Sequence, residues 1–408
     1  MRLLFLATAV NEHHEVAMGV DLATQVRGAG IDSHFAVHPF NSHQLKAAGF
    51  PYTLVAPDSR EDVRAVLGRL VSELRPDALV LSDYVVHWLT FTFSYGLDPW
   101  CIEELGVPVI PMDLYELSAD SLEVEIMGRS ERISDRILDM PARLRPVPAA
   151  RPDSADANCF AYRSTVSPGP STQRRQRVRE ELSLGPDDRL LVVPTLQPQY
   201  DMISRAGGAT RELAARVPEL VVSYLRALPE NTHFLLPGPE FDAYRALPAE
   251  RTRIRPEHTA SELGEWVRAA DGVWSSYFPA AVLEMAVLAD VPGFLTTGSH
   301  GPGARPGPIT GEWLDRFPGE VPPFTLWPWR WNAITRPTLT ENPFLPAGSV
   351  ADIFDEDAVL TGLTRMLHDP DARAGLAAGR ADYLRRIDLL PSASEVVRAA
   401  VQRSARGR

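Results

Sequence analysis

From Asn11 to Glu15 the chain reads Asn-Glu12-His13-His14-Glu, two imidazoles between carboxylates, directly after an apolar run at residues 3–10. An imidazole exchanges its proton close to neutral pH, so such a loop can hold or move protons. The plainer reading makes both histidines solvated loop residues. A second stretch, residues 270–297, offers different chemistry. Residues 272–275 form a short apolar strand, Ser275 and Ser276 are cap-type residues, and Pro279 suits a first helical turn. Val282, Leu283, Met285, Ala286 and Leu288 then mark a helical packing face. This strand–helix–strand unit sets the N–H groups of residues 277–281 at an open helix N-terminus. Those groups lack intrahelical partners and the macrodipole adds about half a positive charge, so the end attracts anions. Glu284, one to two turns further in, can accept hydrogen bonds from a ribose hydroxyl pair while a diphosphate occupies the helix end. The alternative is an ordinary βαβ unit with an exposed glutamate.

Those groups need a scaffold, and the hydrophobic pattern supplies one. Residues 3–10 form a strand, and a helix at 16–27 stops at Gly28-Ala-Gly30 before a second strand at 33–37. Helices at 42–48, 59–74 and 99–105 alternate with strands at 52–55, 76–82 and 107–110. Asp83 and Asp113 therefore lie at the carboxyl ends of parallel strands, where open α/β sheets bind ligands. Residues 118–170, rich in Pro, Ser and Arg, read as the end of a first domain and a linker. A second α/β half follows, with a helix at 172–182, strands at 189–193, 232–236 and 251–255, and a helix at 213–228. Four of its strand ends converge: Thr195-Leu-Gln197, Pro237-Gly238, Pro256-Glu257-His258 and Ser275 to Ala280. Helices from Asp357 and Asp371 and a final helix at 391–403 close the chain. The expected domains are 1–170, 171–389 and a terminal helix, 390–408, crossing back to the first domain.

Composition narrows the classes. At 408 residues the chain is too long for one ordinary core. A formal charge of -12 argues against a general nucleic-acid or anionic-membrane binder, which needs a basic face. Cys101 and Cys159 give neither a disulfide framework nor a metal set, and two reduced thiols in a cytoplasmic protein is the simpler reading. The apolar run at 3–10 is short and flows into a polar loop, so it reads as a buried strand and not a signal peptide. No stretch approaches the ~20 apolar residues of a membrane span. No spaced Cys/His set appears, and no metal site is expected. Trp327, Trp329 and Trp331, spaced by two, would share one face of a strand. Such a wall stacks on a sugar ring or flat aglycone, or equally forms a packed edge or a homodimer surface. Arg205 and Arg305 are candidate phosphate partners, or simply solvated.

The order Glu262-Leu-Gly-Glu-Trp-Val-Arg-Ala-Ala-Asp271-Gly-Val-Trp-Ser-Ser, a short loop, then Ala281-Val-Leu-Glu284-Met-Ala-Val-Leu-Ala-Asp-Val-Pro292 resembles the donor-binding half of nucleotide-sugar glycosyltransferases of the GT-B fold. The opening strand–loop–helix–strand with Gly30 resembles their acceptor half. Two departures stand out: Tyr277-Phe278-Pro279 replaces the usual glycine pair of the phosphate loop, and Asp290 stands where glycine is usual. The resemblance implies two Rossmann-like parallel-sheet domains facing across a cleft. It implies transfer of a sugar from a nucleoside-diphosphate sugar co-substrate to a small-molecule, hydrophobic acceptor, inverting, metal-independent and without a tightly bound cofactor, in bacterial specialised metabolism. By that likeness His14, or His13 beside it, is the general base on the acceptor hydroxyl, and Asp113, then Asp83, orients it. Donor contacts fall to Thr195, Gln197, Gly238, Glu257, His258, Ser276, Tyr277, Phe278, Ala280 and Glu284, and acceptor contacts to Trp88, Tyr115 and Trp329. The rivals are a nucleotide-sugar epimerase or hydrolase on the same scaffold, using Glu12, Glu15, Asp83, Asp113 and Glu116, and a non-catalytic partner subunit.

Overall fold

A computed structural model describes the chain except residues 11–12, 56–59, 127–128, 149, 154–155, 165–171, 196–199, 201–207, 277, 279, 298–333, 335–337, 340, 354 and 407–408. Gln197, Tyr277 and Trp329, with Glu12, Arg205, Arg305, Trp327 and Trp331, lie outside the described residues. Two compact units emerge. One comprises Met1–Leu122, Arg132–Val166 and Arg386–Arg408, the other Glu123–Glu131 and Ser167–Arg385.

In the first unit, β1 (Arg2–Ala7), β2 (Asp32–Val37), β3 (Tyr52–Leu54), β4 (Ala78–Leu81) and β5 (Val109–Pro111) form a parallel sheet in the order β3-β2-β1-β4-β5. Leu3 to Leu6 are wholly buried because β1 is central, pairing in register with both β2 and β4. Helices α1 (His14–Arg27), α2 (Ser42–Ala48), α3 (Arg60–Leu74) and α4 (Tyr84–Leu89) connect the strands. The stretch after α4 continues as a single π-type turn, Thr90–Tyr95, which periodicity does not announce. Part of the stretch read as irregular is ordered: β6 (Arg143–Val147) and β7 (Cys159–Arg163) pair in parallel, and Leu144 bridges to Met112 just past β5. These strands are short and carry arginines, so alternation hides them.

The second unit repeats the plan. Its strands are β8 (Arg189–Val192), β9 (Thr232–Pro237), β10 (Thr252–Arg255), β11 (Gly272–Ser275), β12 (Gly293–Thr297) and β13 (Gly348–Asp352). They lie parallel in the order β10-β9-β8-β11-β12-β13. Around them run α5 (Thr172–Glu181), α6 (Gly208–Ala227), α7 (Ala260–Ala269), α8 (Ala281–Leu288), α9 (Glu356–His368) and α10 (Pro370–Ile387). The core joins Leu191, Trp274 and Phe294 from the sheet to Val359, Leu363 and Met366 of α9. The last helix, α11 (Ala393–Arg406), belongs to the first unit, where it packs on α1, β5, β6 and β7. Its Val396, Val397 and Ala400 form the buried stripe, at i, i+1 and i+4.

In both sheets the strand order reverses at one place, between β1 and β4 in the first unit and between β8 and β11 in the second. Ligands of open α/β sheets settle at the carboxyl side of such a switch point.

Candidate functional site

At the first unit's switch point, β1 runs into the histidine loop and β4 into Ser82-Asp83. His13 is exposed at the N-cap of α1, while His14, one residue into the helix, is half-buried. Burial holds the His14 imidazole down at about 4, so it is neutral at pH 7. His13 Nδ1 lies 2.8 Å from Asn41 Oδ1 and its ring stacks on Phe40 at 4.6 Å. Glu15 is fully buried, accepting from the backbone N–H of Ala9 at 2.8 Å, which pins the chain between β1 and α1.

Asp83 is a helix cap: Oδ1 accepts from the N–H groups of Val85 (2.9 Å) and Val86 (3.1 Å), setting the start of α4. Its Oδ2 accepts from the Tyr115 hydroxyl at 3.4 Å. Asp113 is committed elsewhere. Oδ1 accepts from Tyr115 N–H and Leu117 N–H, and Oδ2 lies 3.3 Å from Arg143 and 3.7 Å from Arg145. Glu116, at φ +54°, faces Arg145 and accepts twice from Arg151 at 2.5 Å. Asp113 was expected to orient a histidine; the partners seen for it among the described residues are two buried guanidinium groups and two amides. Sequence could not foresee this, because Arg143 and Arg145 arrive from β6, thirty residues on.

The acceptor candidates divide. Tyr115 is buried at 2% exposure with its hydroxyl on Asp83, so it shapes the site from behind and its ring offers little contact surface. Trp88, on α4, is nearly buried and meets the exposed Phe93 edge-on at 5.7 Å. Phe93, in the aromatic cluster that runs from His87 to Trp100, is exposed, and so is Phe40, which pattern reading missed. His87 lies inside, its Nε2–H donating to Pro99 O at 3.1 Å, and burial holds it at about 4.

In the second unit, three of the named groups form one contact. Thr195 N–H donates to Pro237 O at 2.7 Å, and Thr195 Oγ1 shares a 2.6 Å hydrogen bond with the Tyr244 hydroxyl. Gly238 sits at φ +104°, where a Cβ would stand 2.1 Å from Thr195 O. Only glycine lets the ends of β8 and β9 close this tightly. Burial pushes the Tyr244 phenol up to about 12. Glu257 and His258 are exposed between β10 and α7. A capping box starts α7 there: Thr259 N–H donates to Glu262 at 2.7 Å and Glu262 N–H to Thr259 Oγ1 at 3.2 Å. The His258 ring rests on Trp266 at 5.7 Å.

The helix end after β11 begins later than its sequence suggests. Ala280 is the N-cap of α8, with no side-chain cap, and Leu283 and Glu284 N–H both return to Ala280 O. The amides of Ala281 and Val282 are thus the helix's leading donors. Ser276 does not cap, because its hydroxyl is spent 3.0 Å from Thr296 Oγ1, which also accepts from Trp274 Nε1–H at 3.0 Å. Phe278 turns into the core against Phe344 (5.6 Å), which meets Tyr383 (5.5 Å). Its ring therefore packs inward and does not stand in front of the helix end. Glu284 is buried at 3% exposure, not on an open face. Asp290 takes the left-handed conformation, φ +59°, that glycine would supply, and Arg380 holds its carboxylate at 2.9 Å.

Among the described residues, no group of three His, Cys, Asp or Glu side chains is placed to hold a metal ion. None of their helices is long and apolar enough to cross a membrane.

A family model matches residues 22–407, described as a family of unknown function, DUF6365. The chain belongs to that family. No curated protein matches it. Solved structures do. The glycosyltransferase VinC, in complex with DTDP, is 14% identical at a TM-score of 0.60, with 100% of each chain covered. The spinosyn forosaminyltransferase SpnP is 17% identical at 0.58, with 99% of each covered. HepE of Anabaena, in complex with UDP-glucose, is 12% identical at 0.56, covering 100% of this chain and 99% of its own. At these identities the likeness establishes the fold: this is the two-sheet GT-B architecture over its full length.

Proposed function

We propose that this chain is a nucleotide-sugar-dependent glycosyltransferase, moving a sugar from a nucleoside-diphosphate donor to a small-molecule acceptor. The observation that carries the reading is the recurrence of one sheet order in both units. The switch point of the first bears a proton-carrying imidazole, and that of the second an uncapped helix N-terminus. The neighbours solved with DTDP and UDP-glucose support a diphosphate as the donor's leaving group.

In this mechanism a histidine of the 13–14 pair takes the acceptor's hydroxyl proton as that oxygen attacks the anomeric carbon. The bond from that carbon to the diphosphate oxygen breaks, with inversion. The departing charge is met by the amides of Ala281 and Val282 and by the α8 dipole, without a metal ion. Thr195, Gly238 and His258 flank the nucleoside, and Trp88 with Phe93 offers an apolar face to a hydrophobic acceptor. A soluble role in bacterial specialised metabolism fits this chemistry.

The test is thermal stabilisation and turnover with a panel of nucleoside diphosphates and their sugars. Stabilisation by a diphosphate, with donor consumed only once an acceptor is added, supports transfer. Donor turnover alone turns the assignment to hydrolysis or epimerisation, and absence of any nucleotide binding overturns it.

A further inference from the structure

We infer that His13 is the acceptor-side base of the proposed transfer and that Asn41 is its positioning residue, fixing the neutral ring as the Nδ1–H tautomer with Nε2 left for the substrate proton. The inference rests on the transferase reading for the base role, and on geometry alone for the positioning. Asn41 is fully buried, and its amide orientation is set because Nδ2–H donates to Ala9 O at 3.3 Å. Oδ1 is thereby turned to His13 Nδ1 at 2.8 Å, and it also accepts from Gln44 Nε2–H at 3.1 Å. Gln44 Nε2 lies 3.1 Å from His13 Nδ1 as well. With the opposite tautomer, however, two lone pairs would face each other across 2.8 Å, so Nδ1 carries the proton. Nε2 has no protein partner among the described residues.

Two further features single this contact out. Asn41 is the N-cap residue of α2, yet its side chain makes no cap hydrogen bond. An asparagine there normally stabilises its own helix by about 1 kcal/mol; this one is diverted to the imidazole. The ring plane is fixed separately, by Phe40 stacked at 16° and by His43 edge-on at 5.8 Å.

An amide can orient an imidazole but, unlike a carboxylate, cannot offset the charge it gains. Among the described residues, the groups around His13 do not offset it either. His14 and Glu15 lie on its own helix, Glu15 spent on Ala9 N–H, and His38 and His43 come from the segment carrying Asn41. Partial burial lowers the His13 pKa, the Asn41 bond raises it and His43 lowers it, with a net fall. The base is therefore neutral at pH 7 and weaker than an ordinary imidazole. A weak base is matched to an acidic nucleophile, so the acceptor class it fits is a phenol or enol hydroxyl.

Nitrogen-15 NMR of the full-length protein labelled at histidine tests the positioning with no substrate present. The expected result is a neutral Nδ1–H tautomer for His13, with a titration midpoint below that of an ordinary imidazole. In Asn41→Asp the midpoint should rise by a unit or more, a tenfold gain in proton affinity, as the carboxylate compensates the charge. An Nε2–H tautomer, or a folded Asn41→Asp with an unmoved midpoint, overturns the assignment; if that variant does not fold, the wild-type tautomer decides. In transfer assays with matched phenolic and alkanol acceptors, kcat/KM should favour the phenol at least tenfold, and equal rates overturn the acceptor class. The expected tautomer with no transfer from any donor would sink the proposed function and the base role while the positioning stands.

Discussion

Each unit buries one aspartate among arginines, but at opposite ends of its sheet. Asp271 precedes β11, on the amino side. It is held by Arg175 (2.8 Å), Arg179 (2.9 Å) and Arg373 (3.8 Å), and accepts from Leu190 N–H at 2.9 Å. Arg175 also donates to the carbonyls of Ala269 and Ala270, so the alanine–aspartate pair ending α7 is a clamp on α5. Asp113 follows β5, on the carboxyl side where ligands bind, and is held by Arg143 and Arg145. The two clusters are chemically alike and differ in address. A buried aspartate at a strand end is thus not evidence of catalysis until its partners are known, and in both units the partners are arginines.

The largest expected effect tests that equivalence. Asp113→Ala should cost about 3–5 kcal/mol, because it leaves buried guanidinium groups short of a partner, and Asp271→Ala less, because Arg175 and Arg373 are part-exposed. Denaturant unfolding should show the loss in the transition of the matching unit. An Asp113→Ala protein of unchanged stability but no turnover would return Asp113 to a histidine and break the parallel. The second effect separates the units by pH. His87 is held at about 4 in the fold against 6.5 unfolded, and His14 is shifted the same way. The unfolded chain then binds the extra proton, so first-unit stability is intact above pH 6.5 and lost as pH falls toward 4, by roughly 3 kcal/mol for His87 alone. The thermal midpoint of the first unit should drop more than that of the second over this range, and His87→Phe should remove one proton from the slope. Smaller still, Gly238→Ala should cost the second unit about 2 kcal/mol through forced φ and a clash with Thr195 O, and weaken stabilisation by nucleotides. Thr195→Val, losing the bond to Tyr244, should cost about 1 kcal/mol; a neutral result would place Thr195 on the ligand alone.

Much of the scaffold was legible because burial writes itself into periodicity. The central strands β1, β4 and β11 are nearly continuous apolar runs, while Gly28-Ala-Gly30 stops α1 before β2 and Pro292-Gly293 opens β12. Seven helices began within a few residues of their expected starts: α1, α2, α3, α5, α9, α10 and α11. Less legible were β6 and β7, which need β5 beside them, and the π-type turn after α4. At the site, the strand-end addresses of Thr195, Gly238, Asp83 and Asp113 came from pattern, but what each side chain does there did not. Ser276 looked like a cap and is a cross-strand tie to Thr296; Phe278 stood among the expected donor contacts and packs on Phe344. Asn41, which pattern did not single out, holds His13.

The sequence by itself determined most of the strands and helices, and that they alternate as two parallel sheets require, because hydrophobic period and turn residues are local properties. Tertiary structure alone decided the partner of every polar side chain at the strand ends. Arg143 reaches Asp113 from thirty residues away, Thr296 reaches Ser276 from twenty and Asn41 reaches His13 from twenty-eight. The energy of a buried charge or hydrogen bond depends on the atom opposite it, and no periodicity along the chain encodes which atom that is.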